Sequence, residues 1–157
     1  MPRCLGSVLG LALALLVCSP RAWSHEVVHG AHSLFVAPTV KIAWTIQKGA
    51  REEDTLVVLR IVNRGGSYQQ VRLDGVDPFS KARRVLVAAR PLDLSIDLTV
   101  PRSSFSEFPS CEVHLYAKNA AGEAPSLTVY YLGVPDTTPE FKTAQDAEAY
   151  LAKTLGQ

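Results

Sequence analysis

The stretch "LDLSIDLTV", residues 92–100, decides the fold. Leu92, Leu94, Ile96, Leu98 and Val100 alternate strictly with Asp93, Ser95, Asp97 and Thr99. Successive side chains of an extended chain point to opposite faces, so this spacing predicts a β-strand with its aliphatic face on a core and its polar face in water. The same period of two extends outward from Pro38 to Gly133. In "VKIAWTIQ", 40–47, Val40, Ile42, Trp44 and Ile46 share one face, while Lys41, Thr45 and Gln47 share the other. "TLVVLRIV", 55–62, is apolar on both faces, as a central strand is. "YQQVRLD", "RRVLVAAR", "CEVHLYAKN" and "SLTVYYL" supply further strands, separated by Gly, Pro and Asn. "NRGG", 63–66, marks a turn. Roughly seven short strands at steady spacing predict an all-β, antiparallel β-sandwich. The strands have no long helical pattern between them, which excludes a parallel α/β sheet.

The last residues follow another period. Thr143 is placed to cap a helix over "AQDAEAYLAKTL", with Asp146 three residues on, Lys153 near the end and Gly156 just beyond. Ala144, Ala147, Leu151 and Leu155 form a narrow stripe, predicted to dock the helix on its own domain. "GVPDTTPEF", 133–141, is the expected linker.

The start of the chain reads as an export signal. Met-Pro-Arg precedes an apolar run from Leu5 to Val17, then Pro20 and the triplet Ala22-Trp23-Ser24. The run is shorter than the ~20 residues of a membrane-spanning helix, so cleavage after Ser24 is expected rather than a retained anchor. The expected organisation is a signal peptide over 1–24 and a histidine-containing segment over 25–37. A β-sandwich over 38–134 and a linker with C-terminal helix over 135–157 follow. The location is then periplasmic or secreted.

Cleavage removes Arg3 and Arg21 but no acid, turning a formal charge of +1 slightly negative. That balance argues against nucleic acid or an anionic membrane as partner. Cys4 and Cys18 leave with the signal, so Cys111 is alone and no intramolecular disulfide forms.

"VHLYAKNAAGEAPSLTVYYLG", 113–133, resembles the last two strands of a fibronectin type III or related immunoglobulin-like domain. Ala117, Asn119, Gly122, Pro125 and Ser126 carry the likeness. "VKIAWT" is similar to the early tryptophan-bearing strand of that fold. The tyrosine usual at the start of the late strand is Cys111 here. The resemblance implies an immunoglobulin-like sandwich, an architecture that hosts many unrelated functions.

Three histidines, His25, His29 and His32, follow the signal. A first residue His25 offers its amine and ring nitrogen to one ion, and a further imidazole suits copper or zinc. Exported copper-handling sandwiches also begin with a histidine. This chain departs from them in lacking an Asp-x-His in its late strands, and Met1 is its only methionine. The alternative is a solvated tail.

Cys111 and His114 do not fit a blue-copper pair, because alternation puts Cys111 on the core face and His114 on the wet face. No Gly-x-Ser-x-Gly elbow surrounds Ser103, Ser104 or Ser106. Phe105 and Phe108, in "SSFSEFPS", and Phe79, in "DPFSK", are aromatics on loops: either plugs of the sandwich end or anchors for a partner. The expected function is a non-enzymatic binding module engaging a protein of the bacterial envelope through Phe105 and Phe108. Metal binding by the histidine cluster is the alternative.

Overall fold

The computed structural model describes residues 26–29, 35–37, 39–66, 68–117, 125–134 and 138–157. In chain order the elements are β1 (Glu26–His29), β2 (Phe35–Ala37), β3 (Val40–Gln47), β4 (Leu56–Asn63), β5 (Gln70–Val76), β6 (Arg83–Pro91) and β7 (Ser95–Pro101). A short helix α1 (Ser104–Glu107), then β8 (Ser110–Tyr116), β9 (Leu127–Leu132), β10 (Glu140–Phe141) and α2 (Ala144–Leu155) complete it. Two sheets pack face to face. One has the order β1-β9-β8-β5-β6; the other has β10-β3-β4-β7, with β2 also beside β3. Pairing is antiparallel except where β1 joins β9 and β10 joins β3. The chain is thus all-β with one short C-terminal helix.

Alternation produces the core through register. Ile42, Ile61 and Ile96 lie in one row across β3, β4 and β7; Trp44, Leu59 and Leu98 form the next, and Ile46, Val57 and Val100 the third. The facing sheet answers with Val71-Leu115-Leu127, then Leu73-Val113-Val129, then Gly75-Cys111-Tyr131. Trp44 meets Tyr131 edge to face across the gap, with ring centroids 4.9 Å apart. At Gly75 the row has no side chain, and the Phe108 ring fills the space: a Cβ there would lie 2.8 Å from Phe108 Cβ.

Asn63 ties the crossovers together. It is fully buried, and its Nδ2 donates to the carbonyls of Tyr68 at 2.8 Å and Asp93 at 3.0 Å. The two carbonyls satisfy a side-chain amide that would otherwise be buried without a partner.

The outer face of the β3-β4-β7 sheet is covered by α2. Leu151 and Leu155 pack on Ala43 and Val62, so the helix docks on its own domain as the stripe predicts. Thr143 accepts a hydrogen bond from the Asp146 amide at 3.1 Å and donates its hydroxyl to the Asp146 carboxylate at 2.7 Å. Gly156 ends the helix in the left-handed region with φ 70°. Arg60 clamps the helix: its Nε and Nη2 each donate at 2.7 Å to Asp97, its cross-strand partner, and Nη1 and Nη2 donate to Glu148 of α2.

Two expectations change. The strand read from Leu92 begins only at Ser95, because the chain bends at Asp93 and Leu94, and Leu94 is 70% exposed. "YQQVRLD", expected to be a polar strand, becomes β5, a central strand flanked by β6 and β8.

Candidate charged pocket

Helix α2 packs on β3 and β10, and among the described residues no helix covers the outer face of the β1-β9-β8-β5-β6 sheet to a comparable extent. Alternation assigns this face to Arg72 and Asp74 of β5, Glu112 and His114 of β8, and Thr128 of β9. Register places Arg72, His114 and Thr128 side by side in one row, and Asp74 beside Glu112 in the next. The wet face expected for His114 is wrong in one respect: the ring does lie on the outer face, but it is 5% exposed. Asp74 and Thr128 are equally covered, at 4% and 3%. Long side chains on neighbouring strands and Pro125 close over them around a cavity of about 320 Å³.

Buried charge requires partners. Arg72 Nη2 donates to Asp74 Oδ2 at 2.8 Å, and Arg83 of β6 donates to Glu112 through Nη1 and Nη2. His114 lies between the acids, with Nε2 3.3 Å from both Asp74 Oδ2 and Glu112 Oε2. Its Nδ1 shares a 3.0 Å hydrogen bond with the Thr128 hydroxyl. Burial by itself would raise the Asp74 carboxyl, but the His114 ring and the Arg72 guanidinium outweigh it and hold the group below its ordinary value. Glu112 in turn raises the Arg83 guanidinium above its own ordinary value. The result is a chain of contacts running Arg72, Asp74, His114, Glu112, Arg83, with the imidazole between two carboxylates and a guanidinium at each end. Asp74 Oδ1 and Arg72 Nε are buried in it without a hydrogen-bond partner, and His114 Nε2 has the two carboxylates as its neighbours.

This arrangement does not suit a cation. Among the described residues no group of three His, Cys, Asp or Glu side chains is placed to hold a metal ion. Here the reason is visible: the carboxylate oxygens that face His114 already accept from two guanidiniums, which put positive charge where an ion would sit.

His25 and His32 lie outside the described residues, and His29 enters only through the backbone of β1, whose Cα is the register partner of Tyr130. Phe105 and Phe108 turn inward and serve as plugs. Phe105 packs on the core, its ring 6.2 Å from that of Trp44. Phe108 is 8% exposed beneath the Arg84 guanidinium, which stands 4.9 Å from the ring centroid. In this placement both rings pack the end of the sandwich. Cys111 is fully buried, and burial, aided by Glu112, pushes its thiol far above the usual range, so no thiolate nucleophile forms.

Phe79 is the opposite case. It is 92% exposed at the tip of the β5–β6 turn. Asp77 fixes that turn: its Oδ1 accepts from the amides of Phe79 at 2.8 Å and Ser80 at 3.3 Å. Lys81 closes the turn with φ 62°, its amide donating to Asp77 O at 2.9 Å and its Nζ to Pro78 O at 2.8 Å.

Reasoning from sequence missed the charged pocket. Its trace is there: Arg72 and Asp74, like Glu112 and His114, are charged or polar at i and i+2, so each strand puts two such groups on one face. No protein-family model matches the chain, and no curated protein or solved structure matches it either.

Proposed function

We propose that the chain is an exported, non-enzymatic binding module of immunoglobulin-like build that engages a protein of the bacterial envelope. The build is supported by strand order. Of the principal strands, the first, second and fifth (β3, β4, β7) face the seventh, sixth, third and fourth (β9, β8, β5, β6), with hairpins inside each sheet and crossovers between them. Among the described residues no helix is long and apolar enough to cross a membrane.

One observation carries the binding role: a large aromatic ring stands in solvent on a turn held by hydrogen bonds. Exposing Phe79 forgoes the stabilisation that its burial would give. Fixing it in place lowers the ordering cost of association, as a pre-organised anchor does. The β5–β6 turn therefore replaces Phe105 and Phe108 as the contact point.

The test is capture from envelope extract on immobilised protein, comparing wild type with Phe79→Ala and with Leu94→Ala, a second exposed aliphatic site. A partner retained by wild type and Leu94→Ala but lost with Phe79→Ala supports the assignment. An identical set of captured proteins for all three forms overturns it.

A further inference from the structure

We infer that the free edge of β7 accepts an extended segment of a partner protein as an added antiparallel strand, and that this segment alternates basic and aliphatic residues. β7 belongs to the sheet opposite the one that carries the Phe79 turn, so this surface goes beyond the contact proposed there and does not rest on it.

The backbone presents the site. Register between β4 and β7 runs unbroken from Leu56–Pro101 to Val62–Ser95. Its phase is fixed at either end: the Arg102 amide donates to Thr55 O at 2.9 Å, and the Asn63 amide donates to Leu94 O at 2.8 Å. Opposed residues of an antiparallel pair exchange both bonds at every second position. Ile96, Leu98 and Val100 therefore bond β4, while the amides and carbonyls of Ser95, Asp97 and Thr99 point away from it. Among the described residues no strand pairs with β7 on that side, and all three residues are exposed. A row of unpaired donors and acceptors is a template for another strand. Pro101, without an N–H, ends the row.

Two other edges are guarded, and β7 is not. β10 is only two residues long. β6 shifts register against β5 twice and carries Arg83, Arg84 and Arg90, so bulges and charge blunt it. β7 has no register shift and no basic residue.

Charge selects the occupant. On the outer face Asp97 and Glu148 are 40% and 59% exposed and share the Arg60 guanidinium, which leaves one negative charge in excess. With Ser95 they line a cavity of about 460 Å³ beside the strand. The residue that exchanges bonds with Asp97 puts its side chain on the same face. A lysine or arginine there meets both carboxylates from solvent. The residues between point to the inner face, beside half-buried Ile96 and buried Leu98 and Val100, which an aliphatic side chain suits. A second copy of this chain fits poorly, because pairing β7 with itself brings the carboxylates of both molecules together.

The probe is the acetylated, amidated heptapeptide Val-Lys-Val-Lys-Val-Lys-Val, which sets its three lysines opposite Ser95, Asp97 and Thr99. It is titrated into the purified, isotopically labelled protein, and amide hydrogen exchange is read by NMR. Saturable binding is expected, with exchange slowed at Ser95, Asp97 and Thr99 and unchanged in the β5–β6 turn. Methylating the lysine backbone nitrogens removes the donors that face β7 and should weaken binding about tenfold or more; methylating the valine nitrogens, which face away, should not. Replacing the lysines by glutamates should weaken binding by a similar factor. Thr99→Pro removes an outward N–H without touching a bond to β4 and should show the same loss. If that variant fails to fold, the two methylated peptides with wild-type protein decide. Phe79→Ala should bind the peptide as wild type does, which separates this edge from the partner-binding turn. No binding at millimolar peptide, equal binding of the two methylated forms, or exchange slowed at β6 instead of β7 overturns the inference.

Discussion

Arg60 ties the helix α2, the central strand β4 and the edge strand β7 together, and replacing it with methionine tests how α2 is held. The guanidinium has 10% of its side chain exposed and makes two bidentate contacts, to Asp97 and to Glu148. Removing one partner of a fully buried pair strands the other charge and costs ~3–5 kcal/mol. That figure is too large here. Asp97 and Glu148 are 40% and 59% exposed, so once released they hydrate. What is lost is two charge-assisted forks, each worth ~1 kcal/mol at this degree of exposure. Arg60→Met should therefore cost about 2 kcal/mol, lowering the urea midpoint at neutral pH by about 1 M with an unchanged slope.

The pH dependence adds a second readout of the same clamp. Its bond to Arg60 holds the Glu148 carboxyl below its ordinary value of 4.5, with burial opposing weakly. A folded-state value below the unfolded one means that the contribution is complete above the unfolded value and is lost as pH falls through the folded one. The stability gap between wild type and Arg60→Met should therefore be constant from neutral pH to just above 4.5 and close below it. A variant as stable as wild type at neutral pH, or a gap that persists unchanged in acid, would refute the clamp and assign helix docking to apolar contact alone.

Three further substitutions probe the frame. Asn63→Ala removes both hydrogen bonds of a fully buried amide, to the Tyr68 and Asp93 carbonyls, and should cost about 2–3 kcal/mol in chemical unfolding, whereas Asn63→Asp should do no better because it removes the donor. Gly75→Ala drives a methyl into Phe108 and should cost about 1–3 kcal/mol; a Phe108→Leu background should relieve part of it, measurable as a double-mutant cycle. Leu98→Ala and Leu151→Ala remove the same atoms from different surroundings. Leu98 is held between two hydrogen-bonded sheets and should cost about 4 kcal/mol; Leu151, under a helix that can settle inward, should cost nearer 2–3 kcal/mol, and the reverse order would contradict this account of the packing.

The inner faces of both sheets were legible because alternation alone specifies them. Ile42, Trp44 and Ile46 meet Ile61, Leu59 and Val57 in the register that period two demands. The helix was legible for an equally local reason, since Thr143, Asp146 and Gly156 do in the folded chain what their spacing implies. Alternation names a face without saying what lies over it. Alternation alone assigns His114 to water, yet Asp74 and Arg72, forty or so residues away in sequence, adjoin it through the β5–β8 pairing and help to bury it. Phe105, Phe108 and Phe79 are indistinguishable as aromatics on loops. What separates them is a missing side chain at Gly75 and a carboxylate at Asp77, one making a space to fill and the other freezing a turn in solvent.

The two outer faces solve the same problem differently, and the difference bears on function. On β3-β4 the cover is apolar: Ala43 and Val62 against Leu151 and Leu155. On β5-β8-β9 the covered groups are an aspartate, a histidine and a threonine, with Asp74 Oδ1 left without a hydrogen bond. Apolar replacement of a buried ionic cluster is often neutral or stabilising, so sheet stability does not explain why this face is charged. The helix-covered face proves that the fold accepts the apolar solution within the same molecule.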